Sequence, residues 1–210
     1  MLTRILSLAG LTCLIFTTAS TCLANDEDEA EPAATTESPA HHSIALLAGP
    51  TQVYNKKYRT YVSSLLNKEA GTYLSTYLRY QYQPDGVVRH AALDVELQNL
   101  SAKEKESYDG GTISVSYESA ALVGGLRYFA QPPTPGWDHV AISIGVNGGF
   151  ATSKIKVSSP TGEFEFTEKT DLIAGVVGGI LYRVAMGAFV VGDLYLGARA
   201  SLVAGAGYAF

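Results

Sequence analysis

The last ten residues, Ser201-Leu-Val-Ala-Gly-Ala-Gly-Tyr-Ala-Phe210, limit the choice of fold more than any other stretch. In a strand, successive side chains point to opposite faces. Leu202, Ala204, Ala206, Tyr208 and Phe210 then share one face, and Ser201, Val203, Gly205, Gly207 and Ala209 share the other. Apolar residues ending in aromatics on one side, with small residues opposite, suit a wall between lipid and a narrow lumen. Tyr208 and Phe210 fit a membrane interface, where amphipathic rings are favoured. A strand inside a soluble sandwich needs neither the aromatic end nor so much glycine.

The same alternation recurs upstream in segments of about ten residues, the pattern of a transmembrane barrel. The expected strands are Ser43–Tyr54, Gly71–Gln83, Val87–Gln98, Thr112–Ala130, Asp138–Val157, Leu172–Arg183, Ala188–Gly197 and the closing segment. Turn chemistry separates several of them, at Gln83-Pro-Asp-Gly86, at Gln131–Trp137 and at Ala185-Met-Gly187. The parity of the fourth segment predicts a bulge near Ala120 or an upper part clear of the membrane, because Glu118 and Arg127 both avoid lipid. The fold class is therefore all-β: an eight-stranded antiparallel transmembrane barrel with a polar, side-chain-filled lumen. An even strand number puts both termini on the periplasmic side of a bacterial outer membrane. A helical span over Leu172–Gly192 is the structural rival. It would place Arg183 in mid-membrane at a cost of roughly 2.5–3.5 kcal/mol, and its glycines weaken a helix further.

Residues 1–24 read as a secretory signal: Arg4, an apolar core from Ile5 to Phe16, and Cys22-Leu-Ala24 before the cleavage point. Both cysteines, Cys13 and Cys22, fall within it, which excludes a disulfide-stapled domain. Residues 25–42 read as an acidic, disordered periplasmic leader carrying Asp26, Glu27, Asp28, Glu29, Glu31 and Glu37 and almost nothing apolar. Residues 43–210 form the barrel. With the signal and leader set aside, basic and acidic residues balance, so nothing points to nucleic acid.

The ending Leu202-Val-Ala-Gly-Ala-Gly-Tyr-Ala-Phe210 resembles the closing strand of the Ail/OmpX/PagC/Lom family of small outer-membrane proteins. Tyr77-Leu-Arg-Tyr80, Leu122-Val-Gly-Gly-Leu-Arg-Tyr128 and Gly178-Gly-Ile-Leu-Tyr182 fall in compatible order. The chain departs from that family in its acidic leader and in a very short fourth outer loop near Ala198. The resemblance implies a surface protein of the adhesion, invasion or serum-resistance type. It also implies a monomer that meets the barrel-assembly machinery through its C-terminal strand, in which Tyr208 and Phe210 are the closing aromatics.

Arg79, Asp94, Glu96, Glu118, Arg127, Asp193 and Arg199 are expected inside, with Asp171 and Arg183 as further candidates. A lumen this narrow fills with side chains, and unpaired charges there are costly. The reading is a mutually paired polar plug; a conducting channel or proton path is the alternative. No cofactor, metal site or catalytic set is expected. His90 and His139 lie near the periplasmic turns, and no histidine occurs in the outer loops 55–70, 99–111 or 154–169, which argues against a lipid-modifying enzyme.

The first outer loop is the leading binding surface. Lys56, Lys57, Arg59 and Lys68 against Glu69 leave it cationic, and Tyr58 and Tyr61 add aromatic anchors. Its partners would be outer-membrane lipid and lipopolysaccharide, or a host surface protein or glycan. Two other functions stand beside binding: a structural or stress-related envelope barrel without a host ligand, and a narrow pore for small solutes. In the third loop, Glu163-Phe-Glu-Phe-Thr167 is expected to prolong a hairpin above the membrane as an exposed sheet edge.

Overall fold

The computed structural model describes residues 42–84, 90–185 and 187–210. The expected signal, most of the leader, the Asp85–Gly86 part of the second turn, the start of the third strand at 87–89 and Met186 lie outside these residues. Eight antiparallel strands close on themselves in sequence order: β1 (His42–Val53), β2 (Thr72–Tyr82), β3 (Ala91–Tyr108), β4 (Gly111–Ala130), β5 (Val140–Ser159), β6 (Gly162–Ala185), β7 (Ala188–Gly197) and β8 (Arg199–Ala209). Closure runs through β1 and β8, where Ile44 faces Tyr208 and Leu46 faces Ala206. His42 and Phe210 exchange backbone hydrogen bonds of 3.2 and 2.8 Å, so His42, read as the end of the leader, belongs to the sheet. Closure leaves no free edge along the spanning part of the wall, as a lipid environment demands.

The outer wall is apolar from strand to strand: Leu46, Leu74, Leu97, Leu122, Ile144, Val176, Leu194 and Leu202 all project outward. At the end that holds His42 and Phe210, Tyr80, Tyr128, Tyr182, Tyr208 and Phe210 ring the outside, the arrangement of an interfacial aromatic girdle. His42 stacks on Tyr82 with ring centroids 5.0 Å apart, and His90 and His139 lie edge-on to Tyr128 and Tyr182. His90 is exposed and forms part of this girdle.

Pro50 sits within β1, at a point where the ladder to β8 passes from Ala48 directly to Thr51. The register is the same on both sides of the gap, as expected where a proline lacks the N–H to donate across the ladder. The wall is uneven in height. β3 to β6 contain 18, 20, 20 and 24 residues, whereas β1, β2, β7 and β8 contain 12, 11, 10 and 11. The strands of the tall half are therefore on average about 30 Å longer than those of the low half. The second and third loops, expected at 99–111 and 154–169, are mostly strand. Of the two alternatives expected near Ala120, the bulge is absent and the tall upper part is present: β4 keeps continuous register with β5 from Ser114 to Ala130, and the parity never changes. Glu118 consequently points outward in the tall half, opposite Ser101 and Lys154. Register shifts occur instead between Ala151 and Ser153 and between Arg183 and Ala185.

The largest departure from expectation is in residues 55–70. They fold as a helix, α1 (Lys56–Leu66), laid against the inner face of the tall half. The Asn55 side chain accepts a hydrogen bond from the Tyr58 amide at 2.9 Å and caps the N-terminus. Tyr58, Val62 and Leu66 recur at i, i+4 and i+8 and make one buried stripe. Asn67 ends the helix in the left-handed conformation at φ 51°, with its amide bonded to the Ser63 carbonyl. The stripe packs on Leu100, Ala102, Val115, Tyr117 and Ile155, inward residues of the tall strands that would otherwise face water. Val62→Asp buries a charge in this contact, so it should release α1 while the barrel stays closed. Limited trypsin digestion would then cut at Lys56–Arg59 in the variant long before it does so in the parent.

Candidate functional site

Inside the barrel, alternation on four strands brings charged side chains to one level. Arg79 on β2, Asp94 and Glu96 on β3, Arg127 on β4 and Asp193 on β7 are all buried. Arg79 donates from Nε to Glu96 at 2.8 Å and pairs through its other arm with Asp193 and with the Tyr195 hydroxyl. Arg127 donates from Nε to Asp94 at 2.7 Å and from Nη1 to Asp193 at 2.9 Å, and its Nη2 lies 3.5 Å from Glu96. Gln81 completes Asp94, and Gln98 and Tyr195 complete Glu96. Each carboxylate thus accepts at least two hydrogen bonds, which is what a buried charge requires. Gly179 leaves room for this arrangement, because a Cβ there would stand 1.8 Å from an Asp193 carboxylate oxygen. The interlocked set fills the lumen across its width.

Five of the seven residues expected in the network are in it: Arg79, Asp94, Glu96, Arg127 and Asp193. Glu118 is outside the barrel, for the parity reason above. Arg199 is inside but apart, donating to Ser119 Oγ at 3.3 Å. Asp171 and Arg183 are exposed. Tyr195 was missed, although it stands two residues from Asp193 and so shares its face.

The end of the barrel away from His42 and Phe210 carries the expected cations, but on a helix rather than a loop. Lys56 and Arg59 are exposed on α1, and the Lys57 ammonium lies 4.2 Å from the centre of the Phe166 ring. Tyr58 is fully buried and cannot serve as a surface contact. Its hydroxyl donates to Tyr73, which in turn donates to Glu104, and burial raises the Tyr58 pKa well above the ordinary tyrosine value. Tyr61 is half-buried against the same cluster. Lys68, also expected in the cationic loop, is tied to Glu106 and to the Lys105 carbonyl. The β5–β6 hairpin continues above the barrel as expected, laced by Lys154–Glu165 and Lys156–Glu163 pairs of 2.9 and 2.7 Å. The Lys156 pair holds the Glu163 carboxyl below its usual pKa.

An apolar outer wall, an aromatic girdle, a closed sheet and an ion-paired lumen define an eight-stranded membrane-spanning barrel. Solved structures agree on the fold. Neisserial surface protein A is 12% identical, with 81% of this chain and 97% of that one covered and a TM-score of 0.53. Ail, the attachment invasion locus protein of Yersinia pestis, solved in complex with the heparin analogue sucrose octasulfate, is 16% identical over the same shares, with a TM-score of 0.51. The chain therefore has the fold of the small outer-membrane barrels, Ail among them. No protein-family model and no curated protein sequence matches it.

Proposed function

We propose that this is an outer-membrane protein that binds a polyanionic surface, in the manner of an adhesion, invasion or serum-resistance factor, through the outward face of α1. The observation that carries the reading is the placement of Lys56, Lys57 and Arg59. All three stand in the opening residues of α1, and its first turn contains no acidic residue. Cations at a helix N-terminus repel the positive end of its dipole, each by roughly 0.3–1 kcal/mol, and an external anion relieves that repulsion. Packing against the tall strands holds the helix firmly, so a ligand need not order a floppy loop. Lipopolysaccharide phosphates and sulfated host glycans carry the matching charge. The solved Ail complex with a heparin analogue makes heparin a natural first probe. In this reading the termini are periplasmic, α1 faces outward, and the assembly machinery engages β8 with Tyr208 and Phe210.

The test is adhesion to cultured host cells by bacteria displaying the protein, with Lys56, Lys57 and Arg59 changed together to Gln in a second strain. Heat-dependent gel mobility checks that both strains carry equal folded amounts. Display should raise adhesion and the triple change should remove the gain, and heparin binding should weaken steeply with salt. If display adds nothing over an empty strain, binding is wrong and the barrel is an envelope component.

A further inference from the structure

The wall is lowest where β7 turns into β8. β6 has β7 beside it only from Gly175 onward, and the single residue Ala198 separates the two short strands. Between the free flank of β6, the start of α1 and this turn lies a recess of about 190 Å³, lined by residues that include Val53, Leu100, Tyr117, Leu172, Ile173 and Arg199. A smaller chamber of about 30 Å³ shares Ile173 and Arg199 with it and reaches down to Gln98, Asn147 and Tyr195. The recess therefore runs from the rim of the low wall towards the top of the ionic plug.

Arg199 is the charged residue common to both chambers, and its environment is incomplete. One arm of the guanidinium donates to Ser119, while Nη1 is buried and has no hydrogen-bond partner. Among the described residues, no carboxylate lies within ion-pair distance of it. The other charged residue of the lining, Asp171, is exposed at the rim. Arg199 is half-buried, and its Nη1 is shielded from water without an anion, which is costly. Arg79 and Arg127 in the plug are each paired with carboxylates, even though Arg127 Nη2 also lacks a hydrogen-bond partner. Its planar fork suits phosphate and carboxylate. The rest of the lining mixes apolar side chains with Tyr54, Asn55 and Tyr117, and Leu172 projects outward at the mouth.

We infer that this recess binds the oxyanion headgroup of an amphiphile, a phosphate or carboxylate held by Arg199, with the tail leaving sideways past Ile173 and Leu172 towards lipid. The site is independent of the cations of α1 and of any ligand they take. The tail would lie along the low wall, where only the short β7 and β8 stand between lumen and membrane.

The test is calorimetric titration of the full chain, refolded in a non-ionic detergent, with dodecyl phosphate and separately with inorganic phosphate. Dodecyl phosphate should bind once per chain, and Arg199→Gln should weaken it at least about tenfold, the loss of a charge-assisted contact. Ile173→Trp fills the recess while keeping the charge, and should abolish binding even if Arg199→Gln fails to fold. The Lys56, Lys57, Arg59 triple variant should bind as the parent does. Inorganic phosphate binding as tightly as dodecyl phosphate keeps the site but assigns it to a free oxyanion. Absence of one-to-one binding by either probe, or unchanged binding in folded Arg199→Gln or Ile173→Trp, overturns the inference.

Discussion

Arg127→Met should cost the barrel about 3–5 kcal/mol of stability, the range for breaking a buried ion pair by removing one partner. Arg127 serves Asp94, Asp193 and Glu96 at once, and none of the three is open to water. Without it, three carboxylates share the single guanidinium of Arg79. The matched change on the acidic side should be milder. The plug contains two guanidiniums and three carboxylates, so Asp94→Asn brings the charges level, and an amide oxygen can still accept from Arg127. That variant should lose no more than about 1–2 kcal/mol. Urea unfolding in lipid vesicles, followed through the single tryptophan Trp137, measures both. Equal losses in the two variants would mean that packing, not charge, holds the lumen.

Gly49→Val should prevent the barrel from closing, a loss of more than about 4 kcal/mol. A Cβ on Gly49 would stand 2.1 Å from the Leu202 carbonyl oxygen and 2.7 Å from the Val203 Cα. Both are backbone atoms of β8, so no side chain can turn aside, and relief requires opening the β1–β8 seam. Gly124 is the control. A Cβ there meets nothing closer than the Asp94 carbonyl at 3.9 Å, so Gly124→Ala should fold normally. The folded, heat-modifiable gel band should vanish for Gly49→Val and persist for Gly124→Ala.

Much of this wall was legible because lipid and a narrow lumen impose opposite demands on alternate residues. Leu93, Val95 and Leu97 against Asp94, Glu96 and Gln98 could be assigned to faces without a structure. Glu118 was misplaced because charge was taken to mean lumen. In fact the strand outgrows the membrane there, and an outward charge meets water instead of lipid. Strand length was hidden for the same reason: Lys103-Glu-Lys-Glu106 looks like a polar loop but is the aqueous part of β3. The helix was missed because the charges and tyrosines of residues 55–70 suggest a binding loop. Its signals were present, with Asn55 before the run and Tyr58, Val62 and Leu66 four apart. What made them decisive is tertiary, the apolar inner face of the tall strands, which no local pattern reveals. The same face buries Tyr58, so the aromatic part of the expected binding surface belongs to the core and only the cations remain outside.

The account rests on a sheet whose faces alternate between lipid and a sealed interior. The most direct measurement is a nitroxide scan along Leu93–Leu100 of β3 in liposomes, one cysteine at a time, which is clean because residues 43–210 contain no cysteine. Oxygen collision rates should rise at Leu93, Val95, Leu97 and Asn99 and fall at Asp94, Glu96, Gln98 and Leu100, with a period of two. A flat profile, or a helical period, would contradict a membrane-spanning barrel built in this register.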